Sequence, residues 1–139
     1  MFNPSRDQVR RFFCDAWLKH RERHVLEGAE ATAADLIEQH PEYHALLENT
    51  EAAVEQEFMP DNGQMNPFLH LSLHLAIADQ ISIDQPLGIR TIYDDLRKRL
   101  EVHEAEHVIL ECLGEALWRA QGDNGRLDAE QYLECVRRK

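Results

Sequence analysis

Along most of the chain, apolar residues recur every three or four positions, the spacing that lines one face of an α-helix. Ala and Leu are common, and runs of β-branched residues are few. Turn residues divide the periodic segments into four main helices and a small C-terminal helix. Short links between helices of this length predict an all-α fold, an antiparallel four-helix up-and-down bundle with a short extra C-terminal helix. At 139 residues, we expect one domain, residues 1–139.

The first half of the chain contains two predicted helical regions. Ser5 and Gln8 match a capping box at the start of the first helix, which we expect to stop near Gly28. The second region covers residues 32–58. Because a proline disfavours helical geometry in the residue before it, we expect a break or kink at Pro41.

The second half begins after turn-rich residues 59–65. Asn66 and Pro67 provide a cap and a first turn for the third helix. The fourth helix is the longest, at about residues 89–121, and the DNG turn at 123–125 follows it. Asp128, with Gln131 three residues later, is typical of the start of a short terminal helix.

Histidines provide the main candidate chemistry. All eight fall into pairs with i,i+4 spacing, which places two imidazoles on one helix face. The pairs are His20/His24, His40/His44, His70/His74 and His103/His107. The last two interrupt apolar stripes, and alternating helix directions would bring them level. Four buried imidazoles are hard to satisfy by mutual hydrogen bonds, so we predict that these two pairs bind a metal ion together.

The other two pairs are weaker candidates. Pro41 interrupts the helix between His40 and His44, and the helical wheel places His44 on a largely exposed side. The pair in the first helix lies toward the other end of a simple alternating bundle. Participation in the site is left open for four residues: His20, His24, His44 and Glu48.

Two carboxylates are candidate ligands beside the histidines. Glu111 lies one turn after His107, and Glu57 falls inside the predicted apolar face of the second helical region. Each is equally consistent with a solvated glutamate at the edge or the end of the bundle. Imidazole with carboxylate suits several transition metals, and we take iron as the first candidate, with zinc or manganese as alternatives.

The order of these residues resembles that of hemerythrin-like proteins, which supply an early histidine, HxxxE, HxxxH, and a late histidine with a carboxylate. This chain offers His20 or His24, then His44 to Glu48, then His70 to His74, then His103 or His107 to Glu111. It departs from the family in its last helix, which carries HxxxHxxxE. The resemblance implies a non-haem di-iron centre that binds oxygen or redox species.

Two longer strings, MFNPSRDQVRRFFCDAW and NPFLHLSLHLAIADQ, resemble a family of small uncharacterised bacterial proteins known only as a domain of unknown function. That resemblance implies no activity.

Charge and cysteines restrict the partners and the compartment. Lys and Arg total 15 against 26 Asp and Glu, a net charge of −11, so we expect no nucleic-acid partner. No run approaches the roughly 20 apolar residues of a membrane span, so we expect no membrane partner. Three cysteines without CxxC spacing predict reduced thiols in a cytoplasmic protein: Cys14, Cys112 and Cys135. A homodimer is one candidate assembly, and the sequence identifies no protein partner.

The leading hypothesis is a metal-binding helical bundle, with iron in a mononuclear or di-iron site, for oxygen or redox chemistry or for sensing. Two alternatives stay open. One is a structural zinc site in an interaction protein, and the other is a metal-free acidic bundle with a hydrogen-bonded or pH-responsive histidine core. A metal-dependent hydrolase is weaker, because the sequence contains no separate nucleophile or base signature beyond Glu104 and Glu111. Whether the protein is an enzyme is left open.

Overall fold

A computed structural model describes residues 5–57, 66–122 and 126–139. These ranges are helical and contain no strand, which confirms the all-α prediction. The elements are α1 (Arg6–Arg21), α2 (Ala29–Glu38), a 3₁₀ helix (Pro41–Tyr43), α3 (His44–Leu47), α4 (Thr50–Glu55), α5 (Pro67–Ile83), α6 (Ile89–Arg97), α7 (Val102–Gln121) and α8 (Ala129–Arg137). The chain divides into two compact units, Met1–Leu75 and Ala76–Lys139.

The predicted count of five helices is too low, because two predicted helices are interrupted. Residues 32–57 are divided first at His40, whose φ of −125° and ψ of 69° are not helical, as expected before Pro41. A second break occurs at Asn49, which caps α4 by accepting a hydrogen bond from the Ala52 amide at 3.3 Å. The predicted fourth helix breaks after Arg97. The up-and-down bundle itself stays a prediction.

Three predicted helix starts are confirmed. Ser5 and Gln8 form a reciprocal capping box on α1. Asn66 accepts a hydrogen bond from the Phe68 amide at 2.8 Å at the start of α5, and Asp128 caps α8. The first helix ends at Arg21, earlier than predicted. The predicted turns at 59–65 and 123–125 and the end of the second helical region at residue 58 lie outside the described residues.

In the unit Met1–Leu75, α1 packs against α2, α3 and α4. Its core is formed by apolar side chains from α1, α2, α3, α4 and α5: Phe13, Cys14, Ala16, Trp17, Ala33, Leu36, Ile37, Leu47, Ala53, Phe68 and Leu71. The buried Arg10 side chain donates to the carbonyls of Ala53 at 2.9 Å and Gln56 at 2.7 Å. These carbonyls lie at the C-terminal end of α4, so the guanidinium caps that helix and connects it to α1.

In the unit Ala76–Lys139, α6, α7 and α8 pack against one another. Cys112 on α7 and Cys135 on α8 form a disulfide with a Cα–Cα distance of 5.8 Å. The prediction of three reduced thiols is therefore wrong for these two cysteines, while Cys14 is free and buried. The 23-residue separation follows no local motif, and it is helix packing that brings the two sulfurs together.

Helical spacing extends the apolar stripe of the predicted fourth helix to Leu117 and Trp118, and this extension is wrong. Trp118 is 73% exposed and Leu117 is exposed as well. That stripe assumes one continuous helix, whereas α7 begins at Val102 after a break, so the apolar face of the earlier segment does not fix the apolar face of α7. Among the described helices, none combines the length and apolar character needed to cross a membrane.

Candidate metal centre

Three histidines meet in the unit Met1–Leu75. We call His40, His70 and His74 the histidine cluster. The Nε2 atom of His70 lies 3.2 Å from Nε2 of His40 and 3.2 Å from Nε2 of His74. His40 and His74 are only 2% and 0% exposed, and His70 is half-buried. One ring nitrogen from each residue lies within 4.8 Å of the others, so the three rings can aim at one point.

Two different backbone arrangements bring these rings together. His70 and His74 lie one turn apart on α5, so both project from one helix face. His40 lies in the break before Pro41, where its amide donates to the Ile37 carbonyl at 2.9 Å and its carbonyl accepts from the Tyr43 amide at 2.9 Å. The proline therefore places the third ring in a fixed turn instead of on a continuous helix.

The hydrogen bond of His40 to the backbone fixes which of its ring nitrogens carries the proton. Nδ1 lies 2.7 Å from the Leu36 carbonyl oxygen, which can only accept, so Nδ1 is the protonated nitrogen. In the neutral ring, Nε2 then carries a lone pair, and this is the atom beside His70. A carbonyl that orients the second ring nitrogen in this way is the usual support behind a metal-bound histidine.

The ring nitrogens of the cluster can serve as hydrogen-bond partners or as metal ligands. Because Nε2 of His40 is an acceptor in the neutral ring, His70 can donate to it through its own Nε2. Nε2 of His74 lies at the same distance from that His70 nitrogen. A cation would instead take one lone pair from Nε2 of each ring.

Aromatic and apolar side chains surround the cluster. The Tyr43 ring stacks on His40 with centroids 5.4 Å apart and an interplanar angle of 5°, and it meets His70 edge-on at 6.1 Å. Burial raises the pKa of the Tyr43 phenol, and the nearby charge of Glu42 raises it further. Tyr43 therefore stays protonated at neutral pH and contributes a neutral wall. Leu71 and Leu73, which lie between His70 and His74 in sequence on α5, are buried as well.

The comparisons with known proteins add a family but no activity. Residues 5–138 match the model of a domain of unknown function, DUF1841. The chain belongs to the DUF1841 family. This match confirms the resemblance to a domain of unknown function. No curated protein and no solved structure matches this DUF1841 chain.

The second predicted pair of this DUF1841 protein lies on α7, in the unit Ala76–Lys139. The rings of His103 and His107 are half-buried, with centroids 4.1 Å apart and an interplanar angle of 56°. That this pair shares one site with His70 and His74 stays a prediction. Glu111, the first carboxylate candidate, is exposed on α7, and its role as a ligand also stays a prediction.

The expected burial of Glu57 is wrong. Its side chain is 76% exposed and pairs with Arg6 at 3.4 Å. The physical reason is that α4 ends at Glu55, so the helical wheel that placed Glu57 on an apolar face does not extend to this position.

The histidines outside the cluster have partners of their own in the DUF1841 fold. His44 donates from Nε2 to the Ile37 carbonyl at 2.8 Å, and its ring stacks on Trp17 with centroids 4.3 Å apart. Trp17 stacks on His20 at 5.3 Å and donates to Glu48 at 3.4 Å. His24 is exposed. The hemerythrin resemblance stays a prediction.

His40 is the residue that the sequence reasoning set aside and the structure brings into the cluster. By spacing, His40 pairs with His44, and Pro41 makes that pair a weak chelate because it breaks the helix between them. The same break is what separates the two rings, since His40 contacts His70 while His44 stacks on Trp17. The sequence signal for His40 is its position directly before Pro41, just after the end of α2.

Proposed function

We propose that this DUF1841 protein binds a divalent transition-metal ion through Nε2 of His40, His70 and His74. The observation that carries the proposal is the convergence of three ring nitrogens, joined by two contacts of 3.2 Å, in a largely buried place. With metal–nitrogen distances of about 2.0–2.1 Å, the nitrogens of a tetrahedral site are about 3.3 Å apart. Two of the three nitrogen–nitrogen distances, His70 to His40 and His70 to His74, are close to that value, and the third pair lies within 4.8 Å.

The donor set narrows the choice of metal. Imidazole suits iron, zinc, copper and nickel, whereas manganese prefers carboxylate and water oxygens. The two carboxylates that the sequence suggested, Glu57 and Glu111, are both exposed, which weakens manganese and a carboxylate-rich di-iron site. We therefore favour a single ion. Iron is the first candidate because of the hemerythrin resemblance, and zinc is the second because three imidazoles form a common zinc donor set.

Three protein ligands leave at least one coordination position for water or a small molecule. His70 is the half-buried member of the cluster, so solvent has its nearest approach on that side. With iron, an open position of this kind supports oxygen or redox chemistry, or sensing. With zinc, it supports an activated water or a structural role.

The test is the metal content of freshly purified protein, measured by plasma mass spectrometry together with its visible absorption spectrum. We expect about one ion per chain in the wild type, and none in His70→Ala, because one of three ligands is lost. His24→Ala is the matched control, since its ring is exposed and it should retain the metal. Circular dichroism reports whether each variant folds.

A complementary measurement adds Fe(II) or Zn(II) to the metal-free wild type and follows the melting temperature, which should rise because the ion binds only the folded chain. The proposal is wrong if the purified protein contains no stoichiometric metal and neither ion raises the melting temperature. That result favours a metal-free histidine core in which the Leu36 hydrogen bond and the Tyr43 stack fix His40.

A further inference from the structure

The unit Ala76–Lys139 contains a second candidate site, which is independent of the proposed metal site. A cleft of about 670 Å³ runs along α7 and α8, and the Cys112–Cys135 disulfide forms part of its wall. Its charged lining includes Glu115, Arg119, Glu134 and Arg138, among other side chains. The volume falls within the range of about 300–1,000 Å³ that is common for small-molecule sites.

The two sulfurs of the disulfide differ in access. Cys112 is 1% exposed, whereas Cys135 is partly exposed on the cleft side of α8. Thiol–disulfide exchange proceeds by attack of a thiolate on one sulfur, and access helps to decide which sulfur is attacked. An incoming thiolate therefore reaches Cys135 and releases Cys112.

The charges of the cleft suit a ligand that carries both signs. Arg119 pairs with Glu115 at 2.7 Å, and Arg138 pairs with Glu134 at 3.3 Å, and all four side chains are about half-exposed or more. Guanidinium groups bind carboxylates through paired hydrogen bonds, and glutamates bind ammonium groups. A small zwitterionic peptide thiol offers both kinds of group together with the nucleophile.

We propose that Cys135 is a site of reversible S-thiolation by a low-molecular-weight peptide thiol of the glutathione type. The thiolate attacks Sγ of Cys135, a new S–S bond forms, and the Cys112–Cys135 bond breaks. Cys112 leaves as a thiolate and takes up a proton from water. A second thiolate then attacks the mixed disulfide and releases Cys135, so two thiols are oxidised to their disulfide as the protein disulfide is reduced.

Contacts other than the disulfide hold α8 in the unit. Tyr132, Leu133 and Val136 are buried on the helix face that packs into the unit, and Tyr132 donates to Gln80 at 2.7 Å. These contacts do not involve either sulfur. The exchange therefore requires the disulfide to open but does not require α8 to unfold.

The test incubates two single variants with glutathione disulfide and measures intact mass. Cys112→Ser leaves Cys135 as the accessible thiol and should gain one glutathione. Cys135→Ser leaves only buried thiols and should gain no glutathione, even in an incubation at least tenfold longer. Cys14, which is buried and whose thiol pKa is raised by that burial, is an internal control that should stay unmodified in both folded variants. In urea, every remaining cysteine should react.

A second measurement uses the wild type, in case a variant does not fold. Reduced glutathione is added, the reaction is quenched with an alkylating reagent, and the trapped mixed disulfide is located by peptide mapping. Glutathione on Cys135 with alkylated Cys112 is the expected result. Glutathione on Cys112, equal rates in the two variants, or a wild type with three free thiols under oxidising glutathione would each overturn the proposal.

Discussion

The two units use different means to hold their helices, although each contains one HxxxH pair on a helix. In Met1–Leu75, the connections are non-covalent, through the histidine cluster and the Arg10 cap. In Ala76–Lys139, a disulfide joins α7 to α8. His70 and His74 meet a third ring, His40, from another segment of their own unit, and this tertiary contact adds to the helical spacing in making them a candidate site.

The largest expected effect is on metal binding, where the two histidine pairs can be compared directly. We expect His74→Ala to weaken binding of Zn(II) or Fe(II) by more than about 100-fold, because loss even of a group that only supports a ligand costs 10–100-fold. Isothermal titration of chelator-treated protein measures the affinity.

His107→Ala is the comparison variant in that titration. An equal loss supports the sequence prediction that both pairs serve one ion. Wild-type affinity in His107→Ala contradicts that prediction and leaves the ion with His40, His70 and His74 alone. Wild-type affinity in His74→Ala contradicts the proposed ligand set itself.

The next effect is on the stability of the unit with the disulfide. Replacing Cys112 and Cys135 together by serine should lower the free energy of unfolding by about 3 kcal/mol, the loop-closure value for the 23-residue separation. Urea unfolding measures the loss, and hydrogen exchange should increase in α7 and α8 before α1. Adding reductant to the double variant is the control and should have no further effect. An unchanged unfolding midpoint contradicts a structural contribution of this bond.

A smaller effect is expected from the arginine cap of the other unit. Arg10→Met retains much of the apolar stem but removes the hydrogen bonds to the Ala53 and Gln56 carbonyls, at a cost of about 2 kcal/mol. Arg11→Met is the matched control, since Arg11 is exposed and its ion pair with Glu51 at 3.6 Å should contribute less than about 1 kcal/mol. Equal losses in urea unfolding of the two variants contradict the special role of Arg10.

Local features of the chain were predictable and distant ones were not. The caps at Ser5, Asn66 and Asp128 follow from bonds within three residues, so the sequence identifies them. The break before Val102 was missed because its N-cap is Glu101, a residue type that rarely marks a helix start.

The candidate site divides in the same way. His70 and His74 follow from helical spacing alone, while His40 joins them through a tertiary contact across 30 residues. The disulfide is another contact of this kind, and no pattern of three cysteines specifies which two meet.

The smallest expected effect concerns Tyr132, which joins α8 to Gln80 at 2.7 Å. Tyr132→Phe should cost about 1 kcal/mol at neutral pH through the lost hydrogen bond. Burial raises the pKa of the Tyr132 phenol above its ordinary value of 10.0, so the unfolded chain releases this proton at a lower pH than the folded protein does. The contribution is therefore fully present below pH 10 and is lost as the pH rises beyond it.

Urea unfolding between pH 8 and pH 11 tests this dependence. The wild type should lose stability above pH 10, and Tyr132→Phe should show a shallower decline although it starts lower. Tyr43→Phe, in the other unit, is the comparison variant. Burial raises the pKa of Tyr43 as well, but Tyr132 is the more deeply buried phenol, so its removal should flatten the alkaline decline more. Parallel curves for the wild type and Tyr132→Phe would show that this buried phenol does not control alkaline stability.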